Sequence, residues 1–336
     1  MDEKFRIFHC PINIAGQMGY MVKGLRAQGH TAIGFNTYQT YLNYKDGIVN
    51  ADWVSVVTQF EEIKNDYDIF HYHFGSTLFE DLRDLKDLQS KGKKFVMHQW
   101  GNDVRLKEKA RIMSPYLLDP CNPMSDDKML ERLKRNSEWI KTVIIQDYEL
   151  YAYVKDYYPN IYILPLLFDV SGTIPFYPQP DKKKPLVIHA PTQPAFKGTE
   201  RIEETLTQLR NDGFSFDYKR IEKISNEEAL AIYKQADIVI DQLLVGSYGL
   251  FAVEAMSLGK PVVSYIREDL RHTFPANLPI VSGNPDNLYQ VLGPLLIDAS
   301  KRHETGIKSR KYAAERHDIQ KVIPQLIDIY RAVLQT

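Results

Sequence analysis

The sequence is poor in cysteine, in net charge and in long apolar runs, and each shortage removes a class of protein. Only Cys10 and Cys121 occur in 336 residues, which excludes a disulfide scaffold and leads us to expect a reducing, cytoplasmic setting. Lys and Arg (42) almost balance Asp and Glu (43), so no global basic field draws in nucleic acid, and any pull toward anionic lipid must come from a local patch. No segment approaches the roughly 18 apolar residues of a membrane span, and the opening Met-Asp-Glu-Lys carries no signal-peptide core. No Asn-x-Ser/Thr acceptor occurs. No His, Cys, Asp and Glu cluster has zinc spacing, and the acidic pair Asp126-Asp127 sits at a predicted helix start, so no metal is expected.

What is present suits two ordinary domains. Hydrophobic residues make up 44% and charged residues 25%, typical of a globular chain, and the length exceeds that of a usual single core. Short apolar runs alternate with amphipathic stretches. Phe5–Cys10, Ala32–Phe35, Asp68–Phe74, Phe95–His98, Val143–Ile145 and Ile161–Leu164 read as strands, separated by helical patterns such as Gly19–Gln28 and Asp126–Ile140. Five prolines between 165 and 185, with Asp181-Lys-Lys-Lys184, read as a linker. The alternation then resumes through strands at 186–190, 216–219, 238–241, 261–265 and 280–281. The expected fold class is α/β, two doubly wound Rossmann-like domains with a cleft between the carboxyl ends of their sheets. Residues 1–168 form the first domain, 169–317 the second, and 318–336 a final helix expected to return to the first.

The densest signal is Gly246-Ser-Tyr-Gly249-Leu-Phe-Ala-Val-Glu254-Ala-Met-Ser-Leu-Gly259-Lys-Pro261-Val-Val. A helix opening at Gly249 and Leu250 turns free N–H groups toward an anion, and Glu254, about one and a half turns on, can accept from sugar hydroxyls. Asp241 and Gln242 end a strand just before this turn, and Ser247 and Tyr248 lie within it. Lys197, in Phe196-Lys-Gly-Thr199, precedes another helix and suits a diphosphate. In the other half, Asn13-Ile-Ala-Gly16-Gln-Met-Gly19 lets backbone approach a ligand at Gly16 and Gly19, or is a tight turn that needs glycine. His98-Gln-Trp-Gly-Asn-Asp103-Val-Arg105 follows a strand end and offers three polar side chains, for ligand contact or for closing the loop. His71 and His73 share one strand face and read first as packed histidines.

These segments resemble retaining glycosyltransferases of the GT-B fold, family 4. Their donor motif has two Glu residues followed by Ala-Met-x-x-Gly-x-Pro-Val. The first Glu position is Gly246 here, and the Arg that precedes the family's Lys by a few residues is also missing, so the chain reads as a divergent branch. The resemblance implies transfer of a hexose from a nucleotide sugar, with retention and without a metal, to a glycan, lipid-linked or protein acceptor. No other cofactor is implied, and polysaccharide biosynthesis is the expected setting. It assigns His98 to the sugar, Asp103 to the acceptor side with Arg105 beside it, Lys197 to the diphosphate and Glu254 to the ribose. Arg220, beyond a strand end, is a candidate for the missing positive charge, and Asp241, Gln242 and the Ser247–Leu250 backbone for the missing Glu.

Two other functions fit the same residues. The missing Glu and Arg suit an inactive partner subunit, and an epimerase would share the architecture. Basic and apolar residues alternate over 104–133, which reads first as a solvated face and second as a peripheral contact with the inner membrane surface. Nothing in the sequence sets the oligomeric state.

Overall fold

The computed structural model describes residues 3–44, 47–122 and 124–335. The chain forms two compact units. Unit 1 contains described residues up to Leu106, then Asn122–Leu167, then those from Ile319 on, while unit 2 is Lys107–Cys121 with Phe168–Asp318. This differs from the expected division in one segment, 107–121, which is contiguous with the first half in sequence yet belongs to unit 2. Its attachment is tertiary. Ser114 Oγ donates to the Leu244 carbonyl at 2.8 Å and the Tyr116 hydroxyl to the Asp286 carboxylate.

Among the described residues, unit 1 is built on seven strands: β1 (Arg6–Cys10), β2 (Thr31–Asn36), β3 (Val49–Asn50), β4 (Ile69–His73), β5 (Lys94–Gln99), β6 (Thr142–Ile145) and β7 (Asn160–Ile163). They pair in parallel in the order β3-β2-β1-β4-β5-β6-β7. The winding reverses between β1 and β4, so the carboxyl ends of those strands open at a switch point. Phe8 packs in the core against Phe35 at 5.3 Å and Phe70 at 5.5 Å between ring centroids. The helix Ile319–Leu334 belongs to this unit and lies close against the helix Gln17–Ala27. Gly24 makes that approach feasible, because a Cβ there would lie 2.4 Å from Ile323 Cγ1.

Unit 2 has five described strands: β8 (Leu186–His189), β9 (Asp217–Arg220), β10 (Ile238–Ile240), β11 (Val262–Ser264) and β12 (Val281–Ser282). All are parallel, in the order β12-β11-β10-β8-β9. Val187, Ile238, Ile240 and Val263 of the sheet pack with Ile202, Leu206 and Leu209 of the helix Thr199–Asn211, and with Leu288 and Leu292 of the helix Leu288–Ile297. β-Branched residues in the strands and leucines at helical spacing on the covering helices produce this core. No described helix is long and apolar enough to cross a membrane.

Candidate functional site

In unit 2 the chain leaves β10 at Asp241 and turns through Gly246 to Gly249 before the helix Leu250–Ser257. Asp241 is fully buried. Its Oδ2 accepts the Gly249 N–H at 2.8 Å and its Oδ1 the Lys197 ammonium at 2.7 Å. Lys197 also donates to Gln242 Oε1 at 2.7 Å, while the Gln242 amide donates to the Ser247 carbonyl at 2.5 Å. One closed hydrogen-bonded set therefore joins Lys197, Asp241, Gln242, Ser247 and Gly249 at the carboxyl end of the sheet. Beside it the first turn of the helix, beginning at Leu250, presents backbone N–H groups that a helix cannot satisfy internally.

Glu254 is buried within the same helix and accepts from Asn226 Nδ2 at 2.8 Å. Burial raises its carboxyl pKa from 4.5 to about 7, with Asp241 adding to the rise and the Asn226 bond and Lys197 opposing it. The group thus titrates near neutrality. Asn226 is a residue that sequence reasoning missed. The capping box between Ser225 and Glu228 marks it as a first-turn residue of the helix Asn226–Tyr233, but nothing local announces a partner 28 positions away.

Two other residues assigned to the donor have separate occupations. The Tyr248 hydroxyl lies 3.0 Å from His317 Nε2 and 3.2 Å from the Tyr312 hydroxyl in a buried network. Arg220, at the end of β9, is exposed and ion-paired with both Glu203 and Glu222, so its charge is already countered. The glycine at the family's first Glu position has a conformational reason. Gly246 has φ +95°, and a Cβ there would lie 2.8 Å from Arg267 Cβ. This turn does not accept a Glu side chain.

In unit 1, strand register gathers histidines at the switch point. His9 is opposite His71 between β1 and β4, and His73 opposite His98 between β4 and β5. All four are buried. His98 stacks on Trp100 at 3.8 Å and 9°, and neither of its ring nitrogens has a hydrogen-bond partner. Burial, with neighbouring histidines adding to it, holds His71, His73 and His98 well below their ordinary pKa, and burial alone takes His9 to about 3. Nitrogens of His9, His71 and His73 lie within 4.8 Å of one another, which raises the question of a metal. The rings answer it. His71 and His73 stack at 4.4 Å and 9°, so their in-plane lone pairs run in nearly parallel planes and do not converge at the ~2.0–2.1 Å of a zinc–imidazole bond. Instead His9 Nδ1 meets His73 Nε2 at 3.0 Å, and His71 Nδ1 meets the Tyr330 hydroxyl at 2.7 Å.

The loop after β5 is largely occupied with itself. Asp103 accepts the N–H groups of Trp100 at 2.9 Å and Gly101 at 2.7 Å, closing the turn, and burial raises its pKa. Arg105 forms a buried fork with Glu149 at 3.0 and 2.7 Å. Gly16, at φ +72°, precedes the helix Gln17–Ala27 without a side-chain cap, and Gly19 lies inside that helix. An Asp-x-Asp spacing does occur in the sequence, Asp66-Tyr-Asp68. It precedes β4, at the end opposite the switch point, and Asp68 is ion-paired with Arg6 at 2.8 Å.

No protein-family model matches the sequence. A curated relative, D-inositol 3-phosphate glycosyltransferase of Corynebacterium urealyticum, is 29% identical over 146 residues. The match covers 42% of this chain and about a third, 34%, of that protein's length. Solved structures match over nearly the whole chain. Sucrose-phosphate synthase from Thermosynechococcus elongatus has a TM-score of 0.62 at 15% identity, covering 99% of this chain and 100% of that one. The Anabaena protein HepE, in complex with UDP and glucose, has a TM-score of 0.63 at 12% identity, covering 98% and 100%. WaaG, a glycosyltransferase involved in lipopolysaccharide biosynthesis, has 0.58 at 14%, covering 96% and 98%. The chain has the GT-B fold. At these identities the likeness is one of fold, and what the GT-B chain does must be argued from its own residues.

Proposed function

We propose that this protein transfers a hexose from a nucleoside diphosphate sugar to a hydroxyl acceptor, with retention of anomeric configuration and without a metal ion. The observation that carries the reading is the Lys197–Asp241–Gln242–Gly249 set with Glu254 beside it, one cation, a helix amino end and a buried carboxyl close together. Loss of the diphosphate develops negative charge on the leaving oxygen. Lys197 and the N–H groups at the start of the helix Leu250–Ser257 oppose that charge. Glu254 accepts from ribose hydroxyls, held in place by Asn226. Asp241 fixes the turn by holding the Gly249 N–H. Within unit 1, Asp103 and Arg105 shape the loop that follows β5.

The names of the relatives support a sugar nucleotide as donor, since HepE was solved with UDP and glucose. The test is calorimetry with UDP and UDP-glucose, followed by release of UDP in the presence of candidate acceptors. Saturable binding that is lost in Lys197→Ala, together with acceptor-dependent release, is the expected result. Donor binding with no release under any acceptor favours the inactive partner subunit instead, and wild-type binding in Lys197→Ala removes the assigned site.

A further inference from the structure

His189, the last residue of β8, stands behind the Lys197–Asp241 ion pair in unit 2. It is fully buried, and both of its ring nitrogens are used. Nδ1 lies 2.8 Å from the Ile240 carbonyl oxygen and Nε2 lies 2.9 Å from Thr199 Oγ1. A carbonyl oxygen only accepts, so Nδ1 carries the proton. Burial takes the ring's pKa down to about 4, with Lys197 and Arg220 adding to the fall and the Ile240 bond and Asp241 opposing it. The imidazole is therefore neutral in neutral solution, and Nε2 accepts from the Thr199 hydroxyl. The tautomer is fixed, and with it the direction of both hydrogen bonds.

The two partners of the ring flank the two halves of the ion pair. Ile240 immediately precedes Asp241, and Thr199 follows Lys197 after Gly198. One imidazole thus ties the strand end that carries the carboxylate to the helix start beside the cation. The main chain supports the same joint, since the Leu243 N–H donates to the Lys197 carbonyl at 3.0 Å. Gly198, at φ +80°, brings the turn so close that a Cβ there would lie 3.1 Å from Leu244 Cγ. A lysine ammonium sits on a long, freely rotating stem, so its place is defined only where the backbone beneath it and the groups it meets are both held. We propose that His189 is a positioning residue of the donor site, holding the backbone on either side of the ion pair so that the Lys197 ammonium stays where a diphosphate arrives. That the arriving group is a diphosphate rests on the transferase reading; that the ring positions Lys197 against Asp241 does not.

Thr199 is the place to test this, because its hydroxyl can be removed without emptying the site of the ring. Thr199→Val keeps the shape and loses the bond to Nε2, Thr199→Ala is a second variant without it, and Thr199→Ser restores it; circular dichroism with the thermal midpoint establishes which are folded. The first readout needs no ligand. In cold, mildly acidic buffer an ammonium held in an ion pair gives a slowly exchanging nitrogen–proton resonance, assigned to Lys197 by its disappearance in Lys197→Arg. It should persist in Thr199→Ser and exchange about fivefold faster in Thr199→Val or Thr199→Ala, the loss expected for one hydrogen bond. The second readout is calorimetry with UDP, whose affinity should fall about tenfold in the variants lacking the hydroxyl and return to near the wild-type value in Thr199→Ser. A wild-type ammonium without a slow resonance, equal exchange in wild type and Thr199→Val, an equal loss in Thr199→Ser, or faster exchange with undiminished UDP affinity overturns the proposal. A wild-type protein that binds no UDP counts against the transferase reading alone, and the exchange rates still decide the role of His189.

Discussion

Replacing Glu254 by Gln should stabilise the protein in alkaline solution while weakening its hold on a nucleotide. The carboxyl is buried, and its pKa rises from 4.5 to about 7 on folding. A group with a raised folded pKa contributes no penalty below its unfolded pKa; the penalty grows between the two values and is complete above the folded one. At about 1.4 kcal/mol per pH unit, ionised Glu254 costs the fold about 3 kcal/mol above pH 8 and about 1 kcal/mol or less near pH 5. Glutamine has nearly the same shape and can still accept from Asn226 at the position of Oε1, but carries no charge to desolvate. Thermal midpoints of both proteins, recorded without nucleotide at pH 5.5 and 8.5, should therefore separate with pH. The difference should be small in acid and reach roughly 5–10 °C in base, given a few degrees per kcal/mol for units of this size. At pH 8.5, where Glu254 is ionised, the Gln variant should bind UDP about tenfold more weakly, because a neutral amide is a poorer acceptor for ribose hydroxyls than a carboxylate. A midpoint difference that does not change between the two pH values would refute the argument that Glu254 titrates near neutrality.

Asp241→Asn should tighten UDP binding severalfold in calorimetry, because Lys197 loses a competing anion at 2.7 Å, and it should shift the pH response of Glu254 toward acid; weaker UDP binding would show that Asp241 acts mainly by holding Gly249. Gly246→Ala should cost about 1–3 kcal/mol in urea unfolding, from a positive φ and the approach to Arg267, and Gly246→Glu should not strengthen UDP binding; a gain would mean that the turn accepts the family's first Glu. Acid should destabilise unit 1. His9, His71, His73 and His98 have folded pKa values below 6.5, so the unfolded chain binds more protons as pH falls through that value, at a cost of about 1.4 kcal/mol per pH unit for each. A thermal midpoint that stays level from pH 7 to 5 would contradict this.

Much of the fold was legible because strand and helix periods differ. Asp68–Phe74 reads as a strand from its alternation, and Ile69–His73 is one. The elements that escaped have physical reasons. The helix Trp53–Ile63 opens Trp-Val-Ser-Val-Val, a β-branched run that suits a strand, and is fixed as a helix by Asp52, whose side chain accepts the Ser55 N–H at 2.9 Å. The helix Ala299–Arg316 is polar almost throughout, and its docking depends on Gly306, where a Cβ would lie 2.3 Å from the Gly259 carbonyl. The site was legible in residue type and less so in use. His98, Asp103 and Arg105 are all where a switch-point loop would present ligands, yet Asp103 and Arg105 are engaged in closing their own loop and pairing with Glu149. A motif shows which side chains are present, and only long-range structure shows which are already committed.

That distinction bears on the proposal that the residues around Lys197 form a working donor site. Decay would leave polar groups unpaired, since drift does not preserve partners for buried atoms and each orphan costs about 1–3 kcal/mol. The site in unit 2 looks different. Lys197, Asp241 and Gln242 satisfy one another, Asp241 also takes the Gly249 N–H, and Glu254 keeps a dedicated donor in Asn226. The turn has a backbone at Gly246 that excludes a side chain, and the carboxylate that steadies it comes from the end of β10. Asp241 also supplies the counter-charge of Lys197. With Lys197 paired to Asp241, the proposed donor site carries little net positive charge when empty. A diphosphate entering it must draw Lys197 away from Asp241, so nucleotide affinity should fall less steeply with salt than in a site built on an Arg and Lys pair. Titration of UDP between 50 and 500 mM NaCl measures that slope, and a steep loss of affinity would contradict a neutral site.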